Sequence, residues 1–191
     1  MDGPERRFER EFVALDSPTG HVNGAGFHPC QGLYHTPIGK RPKVALIASH
    51  YNVDFSEHYL APLMARRGFG FLGWNTRYRG AEGWFQLEHA LIDIGVGVRW
   101  LREEAGVDIV VLLANCGGGS LMVAYQSQAT SPNITGVRGH PLPPAVDELL
   151  PTDLYISLQA HPGRPEVLTN WMDPSITDET DPLSRDPELD M

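Results

Sequence analysis

The sequence is poor in cysteine, in long apolar runs and in basic charge. Two cysteines among 191 residues, Cys30 and Cys116, exclude a disulfide-rich scaffold and indicate reduced thiols. No apolar run is long enough to span a bilayer, and the polar segment 1–7 is unlike a signal peptide, so we expect a cytoplasmic protein without a membrane partner. A net charge of -9 argues against a nucleic-acid partner, which would attract a basic surface.

Paired metal-ligand motifs are also missing from the sequence. Residues 28–30, His-Pro-Cys, suggest a metal site, but no CxxC or HxxxH spacing accompanies them. A loop is therefore the preferred interpretation of this segment. We expect no metal and no other cofactor.

Apolar runs alternate with segments of helical periodicity along most of the chain. Four runs have the length and composition of buried strands, at 43–48, 69–74, 109–113 and 154–160. A fifth, at 11–15, is typical of an edge strand. This alternation predicts an α/β fold with a mostly parallel central sheet and helices on both faces.

Two helices are predicted between these strands before the run at 109–113. The stronger one has apolar residues at steps of three and four from Trp84 to Leu101. Gly95 and Gly97 lie inside it and indicate close packing of this helix on the sheet. The other helix is predicted around residues 59–67.

The ends of that second helix are also predicted from the sequence. Asp54 or Ser56 has a side chain that can cap its first turn, and Gly68 is typical of its C-terminal end.

The composition divides the chain into a core at 1–172 and an acidic, Asp-Pro-rich tail at 173–191. We interpret this tail as the start of a lid or linker.

The stretch around Cys116 carries the strongest functional signal. The run 109–113 leads into the small residues of Ala114-x-Cys116-x-Gly118 and then into a segment with helical spacing. Strand, tight turn and helix form the setting of a nucleophile elbow, here with a thiol instead of a hydroxyl. A helix N-terminus favours a thiolate, and the N–H of Gly117 would stabilise an oxyanion there. The alternative is that Cys116 is a small buried residue.

Polar residues follow other predicted strands at the same edge of the sheet, where α/β proteins bind ligands. Those expected to meet a substrate are His50, Asn52 and Arg77. Arg77 could bind a substrate carboxylate, and the alternative is a solvated loop charge. His161 could act as a base towards Cys116, although a loop histidine is the preferred interpretation.

This order of elements resembles the α/β-hydrolase fold over about residues 40–175. The resemblance rests mainly on residues 115–119, Asn-Cys-Gly-Gly-Gly, which are similar to the Asn-Ser-Gly-Gly-Gly elbow of many esterase-like members. It rests also on residues 49–51, where the family carries its first oxyanion loop. A cysteine nucleophile resembles the dienelactone hydrolases.

The resemblance implies hydrolysis of a small acyl substrate, namely a carboxylic ester, lactone or thioester. Cys116 would form an acyl-enzyme, and the N–H groups of Tyr51 and Gly117 would hold the oxyanion. Most family members have Ser where this chain has Cys116, and the sequence leaves open whether this cysteine replaces a native serine. The alternative function is a catalytically impaired module that binds a ligand or a partner protein.

The family also carries further strands after the one at 154–160, with the acid and the histidine of the triad. Asp173 could orient a histidine, because some members place the acid after this strand, but a turn cap is the preferred interpretation. We therefore expect an incomplete fold. A second chain or a missing C-terminal segment would complete the sheet and the triad.

Overall fold

The structure, a computed structural model, describes residues 7–20, 30–136, 141–178, 180–181 and 183–190. Residues 28–29 of the His-Pro-Cys segment that the sequence suggested as a loop lie outside the described residues.

Six strands in the described residues form a single sheet. They are β1 (Phe8–Leu15), β2 (Cys30–Pro37), β3 (Val44–Ala48), β4 (Gly70–Asn75), β5 (Ile109–Cys116) and β6 (Leu154–Ala160). Their spatial order is β1-β2-β4-β3-β5-β6, so β1 and β6 are the two edges. Strands β3 to β6 pair in parallel, and β1 and β2 are antiparallel additions. The predicted mostly parallel α/β sheet is confirmed, although β2 was not predicted.

Four helices accompany the sheet: α1 (Ala61–Arg66), α2 (Leu87–Glu103), α3 (Gly118–Thr130) and α4 (Arg164–Asn170). Strand β3 shows why helices pack on both faces of the sheet. Ala45 and Ile47 point into the core beneath α2 and α3, whereas Leu46 and Ala48 belong to the cluster beneath α1. Because successive residues of a strand face opposite sides, an uninterrupted apolar run indicates burial on both.

Helix α2 packs closely on the sheet at Gly97, as predicted, whereas Gly95 faces Leu149 and Tyr125 of α3 and not the sheet. A Cβ at Gly97 would lie 2.9 Å from Ile47 Cδ1 and 3.0 Å from Trp74 Cε2, so a side chain there would push the helix away. The predicted start of this helix is wrong, because Trp84 lies in a separate 3-10 turn with an exposed side chain.

Helix α1 is shorter than predicted and lacks the expected cap. It begins at Ala61 after Leu60, and no side chain caps it. Asp54 instead accepts a hydrogen bond from the N–H of Ser56, in a turn of its own. The helix ends as predicted, because Gly68 follows it with φ +99°.

Helix α4 was not predicted and follows β6 directly. The signal was present as Gly163-Arg164-Pro165, since proline is favoured in the first helical turn. Within the described residues of the tail, the structure forms turns and one isolated bridge between Ile176 and Arg185. No helix in the described parts of the chain has the length and apolarity to cross a membrane.

Candidate active site

Cys116 occupies a sharp turn between β5 and α3. Its backbone φ is +55°, a left-handed conformation that residues other than glycine rarely adopt. Gly117 is the N-cap of α3, so the chain reverses from strand to helix within two residues. The Cys116 side chain is exposed as a free thiol. This is the backbone geometry of a nucleophile elbow.

A β-bulge in β6 lies directly across from the elbow. Asn115 pairs with Leu158 and Cys116 pairs with Ala160, which leaves Gln159 as an extra residue. Gln159 has φ +47°, the second left-handed value among the described residues other than glycine. A bulge bends its strand and redirects the side chains that follow it.

The bulge brings His161 to the thiol. The N–H of His161 donates to the carbonyl of Cys116 at 2.9 Å, and Nε2 of His161 lies 3.9 Å from Sγ. The edge of the His161 ring packs against Trp171, with ring centroids 6.4 Å apart. The loop histidine of the sequence analysis is therefore the residue that the structure places beside Cys116.

Asp173 does not join this pair. Its carboxylate accepts a hydrogen bond from the N–H of Ser175 at 2.9 Å, which lowers the pKa of Asp173. The aspartate is the turn cap that the sequence favoured. Among the described residues, no carboxylate accepts a hydrogen bond from His161.

The loop after β3 forms the opposite wall of the site. The rings of His50 and Tyr51 stack with centroids 4.3 Å apart. Nδ1 of His50 accepts from the N–H groups of Asn52 and Val53, at 3.3 and 3.2 Å. Burial lowers the pKa of His50, so the imidazole is neutral at neutral pH. The Asn52 side chain donates to Glu82.

A cavity of about 380 Å³ connects these groups. Its walls include the predicted residues His50, Tyr51, Asn52, Cys116, Gly117 and His161. Helix α4 adds Arg164, Val167 and Leu168, which the sequence analysis missed. The guanidinium of Arg164 lies over the Tyr51 ring, 5.1 Å from its centroid. The cavity is thus lined by a thiol, two imidazoles and an apolar helix face.

Arg77 is not part of this cavity, and the prediction that it binds substrate is wrong. Its side chain is 2% exposed and makes an ion pair with the fully buried Asp93 of α2. Nε and Nη2 donate to the two carboxylate oxygens at 2.8 and 2.6 Å. Nη2 also donates to the hydroxyl oxygens of Ser17 and Thr19. The alternative of a solvated charge is wrong as well, because Arg77 joins β4, α2 and the segment after β1.

A buried pair behind the elbow, His58 and Asn115, was also missed. Nδ1 of His58 accepts from the N–H of Leu60 at 3.3 Å, so Nε2 carries the hydrogen and donates to Asn115 Oδ1 at 3.1 Å. The Asn115 amide donates in turn to the carbonyl of Leu158 at 2.9 Å. Through Asn115 the pair joins β5 to β6, immediately before Cys116 and the bulge.

Comparisons with solved structures identify the fold of this chain. No family model and no curated protein matches the sequence. Among solved structures, brefeldin A esterase, a bacterial homologue of human hormone-sensitive lipase, matches with a TM-score of 0.51 and 19% identity. Esterase Est22 matches with a TM-score of 0.52 and 16% identity, and a cold-adapted esterase from an Arctic intertidal metagenomic library with 0.52 and 12%. The chain therefore has the α/β-hydrolase fold.

The matches cover unequal shares of the two chains. They include 68%, 64% and 78% of this chain, against 38%, 39% and 72% of the three esterases in the same order. The chain thus spans well under half the length of the first two structures.

Proposed function

We propose that this chain hydrolyses small acyl substrates, namely carboxylic esters, lactones or thioesters, with Cys116 as the nucleophile. The observation that carries the proposal is the left-handed elbow at Cys116 with His161 Nε2 only 3.9 Å from its sulfur. A nucleophile beside a base, at the N-terminus of a helix, is the arrangement that acyl transfer requires. The esterases with the same fold support the reaction class.

His161 would act as the base for the thiol. It takes the proton from Sγ, the sulfur attacks the carbonyl carbon, and the imidazolium returns the proton to the leaving alcohol or thiol. Water then attacks the thioester, which releases the acid and restores the Cys116 thiol. The distance of 3.9 Å is longer than a working hydrogen bond, but such bonds tighten when substrate binds.

The backbone N–H groups of Tyr51 and Gly117 would hold the oxyanion. Both residues line the cavity, and Gly117 begins a helix, where N–H groups are unpaired and the dipole favours negative charge. No metal or cofactor is needed for these steps. Free thiols suit a reducing compartment, so we place this activity in the cytoplasm.

We propose further that a second chain or a C-terminal segment adds strands along β6. This strand is a sheet edge among the described residues, and Leu154, Tyr155 and Ile156 on it are exposed. Apolar edge strands of this kind favour pairing with another strand. The added part would supply the carboxylate that orients a histidine, either His161 or a histidine of its own.

A catalytically impaired module that binds a ligand is the second candidate function. The observation that favours it is the absence, among the described residues, of a carboxylate bonded to His161. An unoriented imidazole is a poorer base, because its tautomer is not fixed.

Pre-steady-state hydrolysis of p-nitrophenyl acetate distinguishes the two functions. The proposed hydrolase releases a burst of p-nitrophenolate equal to the protein concentration, one for each Cys116, and mass spectrometry finds the acetyl group on Cys116. Cys116→Ala removes both signals, and Cys30→Ala serves as the matched control that retains them. A chain that shows no burst and no acetylated Cys116 is a binding module.

A further inference from the structure

The side chain of His50 faces the elbow next to the two backbone donors. We propose that the Nε2–H group of His50 is a third hydrogen-bond donor to the carbonyl oxygen of the substrate, acting as that oxygen becomes an oxyanion. The inference rests on the proposed function, because it needs a carbonyl attacked by Cys116.

The hydrogen bonds of the loop fix the direction of this donor. Nδ1 accepts from two backbone N–H groups, those of Asn52 and Val53, and therefore carries no hydrogen itself. A neutral imidazole then holds its hydrogen on Nε2. Nε2 has no hydrogen-bond partner among the described residues, so its N–H is available to a ligand.

The position of Nε2 places this donor beside the reacting centre. A Cβ at Gly117 would lie 2.6 Å from Nε2, so the imidazole borders the residue that follows the nucleophile. Only glycine leaves this approach open. His50 and Cys116 line the same cavity of about 380 Å³, so a carbonyl bound to Sγ would lie in the cavity that His50 also borders.

The environment of His50 keeps it neutral. Burial is the largest effect on its pKa and lowers it, and the nearby His161 acts in the same direction, against opposing effects of the Asn52 side chain and of Glu82. A neutral donor in place before the reaction needs no rearrangement when charge develops on the oxygen. An imidazolium, by contrast, would have to give up the two loop hydrogen bonds to Nδ1.

Two substitutions separate the donor from the loop contacts. In His50→Asn, the side-chain oxygen can replace Nδ1 as the loop acceptor, but nothing reaches the position of Nε2. In His50→Gln, the amide can reach that position and donate. Each variant is tested in two reactions of Cys116: acylation by p-nitrophenyl acetate, which forms an oxyanion, and alkylation by iodoacetamide, which does not.

We expect His50→Asn to slow acylation by about 10²-fold, the usual loss for one oxyanion donor, and to leave alkylation unchanged. His50→Gln should recover most of the acylation rate. If His50→Asn fails to fold, His50→Ala takes its place, because it also removes the Nε2 donor, and it is measured in the same two reactions.

Other results overturn the inference. Unchanged acylation in His50→Asn shows that Nε2 does not meet the oxygen. Equal slowing of acylation and alkylation shows that His50 acts on the thiol or on the fold. Wild-type protein that is alkylated at Cys116 but never acylated refutes the proposed function itself, and this outcome differs from both of the others.

Discussion

Strands β4 and β5 end at the same edge of the sheet, yet the residues at these two ends differ in exposure and in hydrogen bonding. After β4, Arg77 is sealed against Asp93, with both side chains almost fully buried. At the end of β5, Cys116 is exposed in a strained turn and faces a cavity. All three guanidinium nitrogens of Arg77 have hydrogen-bond partners, whereas Nε2 of His50 beside the elbow has none among the described residues. The comparison shows that position at the sheet edge makes a residue a candidate, and that exposure and unused bonding capacity decide whether it is available for chemistry.

The largest expected effect comes from removing the proposed nucleophile, Cys116, at the exposed end of β5. Cys116→Ala should lower kcat for an ester by at least about 10³-fold, because the residual rate comes only from binding and the oxyanion donors. The urea midpoint should not fall, since alanine adopts the same turn and the thiol has no buried partner. Steady-state rates and urea unfolding of one preparation check both parts. A variant that loses stability and activity together would contradict the division between the two regions.

The second effect concerns the sealed strand end. Asp93→Asn should lower the free energy of unfolding by about 3–5 kcal/mol, because it leaves the buried Arg77 charge without a carboxylate. Glu103→Gln breaks the exposed pair with Arg99 and is the matched control, with a loss of at most about 0.5 kcal/mol. Urea unfolding measures both. Equal losses in the two variants would show that the Arg77 pair is no more than a surface ion pair.

The two cysteines provide a third test of the difference between the exposed strand end and the buried one. Iodoacetamide should label Cys116 much faster than Cys30 at the same pH, because the elbow thiol is exposed and Cys30 is not. Cys30 is fully buried, and burial together with the neighbouring Asp93 raises the pKa of its thiol. Peptide mapping after timed labelling measures both rates. Equal labelling, or labelling of Cys116 only in denaturant, would show that the elbow thiol is not accessible.

The smallest expected effect is a pH dependence of stability that originates behind the elbow. Burial lowers the pKa of His58, so the unfolded chain binds more protons than the folded chain below about pH 7. The stability that His58 contributes is therefore present above its unfolded pKa, and it is lost as the pH falls through the lower folded value. His58→Gln should reduce the loss of stability between pH 7.5 and 5.5, measured by urea unfolding. An identical slope in both proteins would contradict this assignment.

Local patterns predicted most of the fold, because strands β3 to β6 are short apolar runs that the sequence displays directly. Strand β2 was missed because Cys30 to Pro37 contains glycine and proline and has no continuous run. Its burial comes from pairing with β1 and β4. Such tertiary partners leave no local signal.

In the candidate site, too, local motifs could be predicted and tertiary partners could not. The elbow at Cys116 is a local motif and was predicted. Arg77 was misassigned because its partner Asp93 lies sixteen residues away, on the buried face of α2. His161 was undervalued because its position depends on a left-handed φ at Gln159, a residue type that does not require one.

Strand β6 combines two properties that elsewhere in the sheet are separate. Its outer edge pairs with no strand among the described residues, and its bulge lies directly before His161, whose Nε2 is 3.9 Å from Cys116 Sγ. A strand that pairs with this edge would bond to the same backbone that positions the imidazole. Under the proposed function, strand pairing at β6 and the distance between His161 and Cys116 would then be linked equilibria. If a partner strand favours a shorter distance and acylation of Cys116 does so too, the acylated chain would bind that partner more tightly.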